Sequence, residues 1–342
     1  MKNGLLGTVL AGALVVSSLL PSARAAESAA DFYKGKTIFL QIGSATSGSY
    51  NIVGRAVAQH MEKHIPGKPN IVVQNIPNTM TLANQFGNTT PRDGTVFGLF
   101  VNGTPTIPLI DPQSAHFDSR KFIFLGSPTR ETHLLVGWHD SPIKTLDDVF
   151  TKEMIVAGQA PGTAPNDYPR LTNQVIGTKF KLISGYQSQG DRTLAMQRGE
   201  VHGQAGSSWS NVKISYKDML AKKEIRLIGI FGFRKNSDIP DVPLFPLGKT
   251  EEDRHLFALM YSRQAYGRPF LLPPEVPADR VAALRGAFEA TMKDPAFVAE
   301  AEKLQLDFDP VSAEELATLT NELYAIPKPT LDRMAKLVNT EN

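Results

Sequence analysis

Apolar positions along the chain alternate between short unbroken runs and longer runs in which they recur every three or four residues. Thr37–Ile42 is a compact apolar run and predicts a buried strand, whereas Ser49–His64 sets Ile52, Val53, Ala56, Val57 and Met61 on one side of a helix. A strand over Ile71–Gln74, a short helix over Leu82–Phe86, a turn at Pro91–Gly94 and a strand over Thr95–Phe100 follow. Strands and helices alternating in this way predict a parallel α/β sheet with both faces covered.

The rhythm restarts after Lys121. Strands are expected at Phe122–Leu125, His133–Gly137, Met154–Gly158, Phe180–Ser184 and Ile225–Phe231. Helices are expected at Pro165–Val175 and Asp191–Arg198, together with one capped by Thr145 that opens on Asp147 and Asp148. The remainder reads as helical: Glu251–Arg263, Ala278–Met292, Pro295–Leu304, Ala313–Tyr324 and Thr330–Val338, with Pro277 at a helix start, where its missing N–H costs nothing. Two α/β blocks and a helical tail imply two lobes, one built from residues 26–125 and 230–342 and the other from 126–229. Ligand-contacting residues are then expected on loops at the carboxyl ends of strands.

The amino terminus has a separate logic. Met1-Lys2-Asn3 is short and basic, Leu5–Leu20 is almost wholly apolar, and Pro21-Ser22-Ala23-Arg24-Ala25 ends in small residues, which is the pattern of a secretory signal peptide cleaved after Ala25. The apolar run is short for a hydrocarbon core of ~30 Å, which favours removal over retention as an anchor. The full chain carries 36 basic and 34 acidic residues, and removing residues 1–25 leaves 34 of each. A neutral mature chain argues against nucleic acid as a partner, which would call for a clustered basic face. The absence of cysteine excludes disulfides, thiol nucleophiles and thiolate metal sites.

Several catalytic patterns fail. Gly35-Lys36-Thr37 resembles the end of a phosphate-binding loop, but Ala30 stands where the first glycine is required. No G-x-S-x-G elbow is present. The His60/His64 pair lacks the glutamate that follows the first histidine in zinc proteases and reads as a solvated helix end. No cofactor and no metal is called for.

The positive signal is loop chemistry. Gly43–Asn51, which contains Thr46, Ser47, Gly48, Ser49 and Tyr50, is rich in glycine and hydroxyls and opens directly into a helix. Such a turn presents unpaired N–H groups and the positive end of the helix dipole to an anion. Asn75–Thr81, with Asn78 and Thr79, precedes another helix, so two helix starts could converge on one anion. Pro161–Asn166 (with Thr163 and Ala164), Ser184–Gly190 (with Tyr186) and Gly206–Ser210 (with Ser207) supply similar chemistry from the second block, and Tyr50, Tyr186 and Trp209 are either apolar walls or core.

The ordered set Asp31–Lys36, Gly43–Asn51, His64–Gly67, Val73–Pro77, Pro91–Thr95, Ile239–Pro243 and Leu272–Arg280 resembles the substrate-binding receptors of tripartite tricarboxylate transporters, the Bug family, over nearly the whole mature chain. The resemblance implies a two-lobed type II periplasmic-binding-protein fold that closes on a carboxylate. It implies that the anion is held by backbone N–H groups and waters near Thr46–Asn51 and Asn78–Thr79, rather than by an arginine. Thr163, Ala164, Tyr186 and Ser207 would face it from the other lobe. Two departures stand out: Asn51 occupies a position often held by aspartate, and Asn78-Thr79-Met80 replaces a glycine-rich stretch.

The expected function is therefore capture of a small di-, tri- or aromatic carboxylate and its delivery to membrane transporter subunits by a periplasmic monomer. Two alternatives remain open at this level: a sensor reporting to a membrane kinase, and a hydrolase using Ser47 or Ser207, with His202 the one histidine near Ser207 in sequence.

Overall fold

The structure is a computed structural model that describes Met1 and residues 27–44, 46, 49–76, 78–159, 163–186 and 188–339. The expected signal segment, and Ser47 and Gly48 of the first loop, lie outside the described residues. No helix among the described residues is long and apolar enough to cross a membrane.

Eleven strands form among the described residues: β1 (Thr37–Ile42), β2 (Asn70–Asn75), β3 (Val96–Leu99), β4 (Ile123–Thr129), β5 (His133–Trp138), β6 (Met154–Ala157), β7 (Phe180–Ile183), β8 (Gly203–Ser208), β9 (Ile225–Phe231), β10 (Phe270–Leu272) and β11 (Phe308–Val311). The helices are α1 (Ala29–Tyr33), α2 (Ser49–Met61), α3 (Thr79–Asn88), α4 (Ile107–Ile110), α5 (Asp148–Thr151), α6 (Ala164–Ile176), α7 (Gln189–Gln197), α8 (Trp209–Ser215), α9 (Lys217–Ala221), α10 (Glu251–Tyr266), α11 (Ala278–Met292), α12 (Pro295–Lys303), α13 (Ala313–Tyr324) and α14 (Lys328–Asn339).

The strands make two sheets, each the centre of one lobe: β11-β4-β10-β3-β1-β2 and β7-β6-β8-β5-β9. Both are mixed rather than parallel. In the first, β1 runs parallel to β2 and β3, but β10 is antiparallel to β3 and β4, and β11 to β4. In the second, β6 is parallel to β7 and β8, while β5 is antiparallel to β8 and β9. The expectation of a parallel sheet is corrected for a simple reason: hydrophobic periodicity reports burial and carries no strand direction. The late strands β10 and β11 enter the first sheet running against their neighbour β4.

The chain passes from the first sheet to the second at Arg130–Thr132 and leaves the second after Phe231. The lobe boundaries drawn from sequence at 125/126 and 229/230 fall inside β4 and β9. The backbone of Gly126-Ser127-Pro128 stays in the sheet, with Gly126 opposite Phe270 and Ser127 opposite Val311. The crossing is pinned by the Glu131 N–H donating to Gln264 O at 2.9 Å, the Trp209 N–H donating to Thr132 O at 2.8 Å, and Asn236 Nδ2 donating to Thr132 Oγ1 at 3.0 Å.

Helix α10 buries residues on all sides, from Leu256 and Phe257 to Gln264 and Tyr266, as a helix between packed layers must. It packs on α13 and α14 and on α6, and one apolar core runs from Phe86 and Phe100 through Phe257 and Tyr261 to Tyr168 and Leu171. Two local readings are corrected. Thr145 does not cap α5; Asp148 instead accepts from the N–H groups of Lys144 and Thr145 and from the Thr145 hydroxyl, at 2.8 to 3.2 Å. His60 and His64 do not end in solvent: they meet Glu300 and Asp294 at 2.5 and 3.0 Å, fastening α2 and the turn after it to α12.

Candidate functional site

The first loop follows β1. Its described residues Gly43 and Ser44 lie against the second loop, since Asn75 Nδ2 donates to Ser44 O at 3.2 Å and a Cβ on Gly43 would sit 2.8 Å from Thr79 Oγ1. The two loops are neighbours, but they do not contribute equally. Ser49 and Tyr50, in the first turn of α2, line a cavity of about 550 Å³. Asn78 turns its side chain back to cap α3, accepting from the Thr81 N–H at 3.0 Å, and Thr79 Oγ1 lies 3.1 Å from Thr104 Oγ1. Neither lines the cavity, nor do Thr46, Asn51 and Tyr186. Asn51 accepts from Arg55 Nε at 3.1 Å, and Tyr186 packs at the edge of the second lobe's core. Trp209 is a core residue whose Nε1 donates to Asp238 at 2.8 Å.

From the second lobe, Thr163, Ala164, Gly206 and Ser207 line the same cavity. Gly206, at φ +79, sets β8 directly on the start of α6: a Cβ there would come within 2.7 Å of the Ala164 backbone. Residues from both sheets therefore converge on one space. A second cavity of about 610 Å³ is lined by the crossing segments, including Arg130, Thr132 and residues 232–238, and by none of the residues singled out from sequence.

The structure adds residues that sequence reasoning missed. Val101, Asn102 and Gly103 follow β3, and the same carboxyl-end rule that selected the other loops applies to them. Glu131 and His133 come from the crossing and β5, Arg192 from α7, Arg263 from α10, Arg268 from the turn before β10, and Leu304–Asp307 from the end of α12. Nothing in their local sequence marks them, because helix and crossing positions become site positions only through tertiary packing.

These groups form a tight polar network. The Tyr50 hydroxyl accepts from the Asn102 N–H at 3.1 Å, and burial pushes its phenol well above the ordinary range. Arg268 donates to Ser49 Oγ and Thr129 Oγ1, both at 3.2 Å, and lies 3.5 Å from Glu131. Burial alone would raise the Glu131 carboxyl, but a hydrogen bond from His133, the Arg268 charge and a bond from Asn102 outweigh it and hold the group below its usual value. His133 Nδ1 is 2.8 Å from the Tyr168 hydroxyl and Nε2 is 3.2 Å from Glu131, so both ring nitrogens are engaged. Arg263 reaches Asp167 at 3.1 Å. Ser207 Oγ donates to Gln204 at 3.3 Å, while His202 Nδ1 accepts from the Ile155 N–H at 3.1 Å, so these two do not form a nucleophile–base pair.

No family profile and no curated protein matches the chain. Solved structures do. A TctC solute-binding protein from Polaromonas aligns with a TM-score of 0.68 at 14% identity, covering 90% of this chain and 99% of its own. MatC from Rhodopseudomonas palustris, with bound malate, aligns at 0.57 and 16%, covering 89% and 99%. The periplasmic binding protein BugD aligns at 0.57 and 14%, covering 89% and 97%. With two sheets joined at Arg130–Thr132, a shared cavity between them and these alignments over nearly its whole length, the chain carries the fold of the TctC and Bug solute-binding proteins.

Proposed function

We propose that the chain is an exported solute receptor that binds a small carboxylate between its lobes and passes it to a membrane transporter. The observation that carries this reading is the cavity of about 550 Å³ lined at once by Ser49 and Tyr50 of one lobe and by Thr163, Ala164 and Ser207 of the other. Contacts from both lobes make binding and closure mutually supportive, because a guest that touches both favours the closed arrangement. The start of α2 offers the positive end of a helix dipole, and three arginines stand around the space. The malate seen in MatC, which shares this fold, supports a carboxylate guest. The same reading has the amino-terminal segment removed after Ala25 on export to the periplasm, with the lobes meeting at residues 130–132 and just after Phe231.

The test is a thermal-shift and calorimetric panel of mono-, di-, tri- and aromatic carboxylates against the purified protein. At least one acid raises Tm and gives binding heat. A panel with no shift and no heat would overturn the reading.

A further inference from the structure

Besides the Tyr50 phenol, six ionisable side chains line the cavity: Glu131, His133, Arg192, Arg263, Arg268 and Asp307. Four of them are matched in three ion pairs. Arg268 faces Glu131 at 3.5 Å, Arg263 faces Asp167 at 3.1 Å, and Asp307 has Lys213 at 2.8 Å. Both ring nitrogens of His133 are engaged, by Tyr168 and Glu131. Arg192 alone has no carboxylate within ion-pairing distance among the described residues.

Arg192 is only 5% exposed, and among the described residues its one side-chain bond runs from Nη2 to the neutral amide oxygen of Gln189 at 2.5 Å. Its Nε and Nη1 are buried with no hydrogen-bond partner among the described residues. It also sits in the first turn of α7, where the helix dipole disfavours a cation. Burial, the dominant influence, holds its pKa below the ordinary value. A buried, unpaired guanidinium at the wrong end of a helix weakens the fold, and the free protein gains nothing from it. Gln189, itself on the cavity wall, keeps the guanidinium in place: its amide also bonds Gln204 at 3.3 Å and meets the Tyr216 hydroxyl.

Away from Arg192 the wall offers a second negative charge hydroxyls and amides but no further uncommitted cation, since Arg263 and Arg268 already face carboxylates. Glu131 and Asp307 are already acidic. Ile52 and Ile214 face the same space from opposite lobes, and each leaves about half its surface uncovered, at 48% and 51% exposure. Val101, Leu304 and Leu306 extend this apolar surface. A second carboxylate laid against it would lose its hydration with no counter-ion in return.

We propose that Arg192 is the anion anchor of the cleft and that the ligand is a carboxylate of single negative charge with an apolar body, aromatic or branched aliphatic. This rests on the receptor reading above and narrows it: the charge partner is a second-lobe arginine rather than the paired loops of the first lobe, and the guest is a monoacid rather than a diacid.

The experiment compares acids of matched skeleton by titration calorimetry: hexanoate against adipate, 4-methylvalerate against 3-methylglutarate, and benzoate against terephthalate. The monoacid binds at least tenfold more tightly than its diacid in the pair that binds best. Arg192→Gln weakens that monoacid at least tenfold and leaves the Tm of the unliganded protein unchanged or higher, and Arg192→Lys recovers part of the affinity. A diacid that binds as tightly as its monoacid, or Arg192→Gln affinity within twofold of the parent, overturns the inference while leaving a carboxylate receptor standing. A panel in which no acid binds at all removes the receptor reading and the inference together. The monoacid–diacid comparison uses the unaltered protein, so it decides the question whatever the stability of the variants.

Discussion

Arg263 of α10 donates through Nη1 to Asp167 of α6 at 3.1 Å, joining a helix packed on the first lobe to the opening turn of a second-lobe helix. The Asp167 side chain is wholly shut off from solvent and that of Arg263 is 11% exposed. Beside it, Gln264 Nε2 donates to the Tyr168 hydroxyl at 3.2 Å and to Phe231 O at 2.6 Å. A buried ion pair adds little net stability over an apolar replacement, but removing one partner strands the other. Asp167→Asn is therefore expected to destabilise the protein by about 3 kcal/mol. Replacing both partners, as Asp167→Leu with Arg263→Met, is expected to cost clearly less. Urea unfolding of Asp167→Leu, Arg263→Met and the double variant measures this, and a strictly additive cycle would contradict it.

Ser49 is exposed at the start of α2 and receives Arg268 Nη2 at 3.2 Å. Ser49→Arg fills the cavity wall and adds a cation at a helix start, which costs the fold only about 1 kcal/mol or less. The unliganded Tm is expected to fall by no more than about 4 °C, while the ligand-induced rise in Tm disappears. Retention of that rise would place the guest elsewhere.

Acid sensitivity is expected at the junction of α2 and α12. Lys63, then His64, then the Ala296 N–H hold the Asp294 carboxyl well below its ordinary value. A carboxyl whose pKa is depressed by folding contributes stability above its unfolded value, near 4, and loses that contribution as the pH falls through the folded value. Asp294→Asn should thus lower Tm at pH 7, and the gap from the parent should narrow progressively below about pH 4. Melting curves across pH 2.5–7 check the sign; a gap that widens in acid would contradict it.

Much of the architecture is legible in the sequence, for identifiable reasons. Strand β1 and helix α2 were readable because their apolar spacing is strong and their partners lie nearby in the chain. Strand β8 is not legible in the sequence, where only Gly206–Ser208 stand out, as loop. Its Gly203-Gln204-Ala205-Gly206-Ser207-Ser208 has no β-branched or aromatic residue, yet it is central to the second sheet, where small side chains let it approach its neighbours: a Cβ on Gly203 would lie 2.2 Å from Val136 O. Helix α3 was predicted short because Asn78, Thr79 and Thr81 look like loop, although Asn78 is its cap. In the site, glycine- and hydroxyl-rich strand ends pointed to Ser49, Tyr50, Thr163, Ala164 and Ser207, whose placement follows from strand order. Arg192, Arg263 and Arg268 were invisible, because an arginine on a helix or turn looks like any solvated cation until packing closes over it.

Helix α10 has a consequence for how the molecule comes apart. Because its Leu256–Tyr261 face is continuous with apolar surface from Phe86 on one side to Leu171 on the other, neither half can melt without exposing the other's flank. The two sheets are in this sense a single thermodynamic unit, and heating should yield one sharp endotherm instead of two resolved ones.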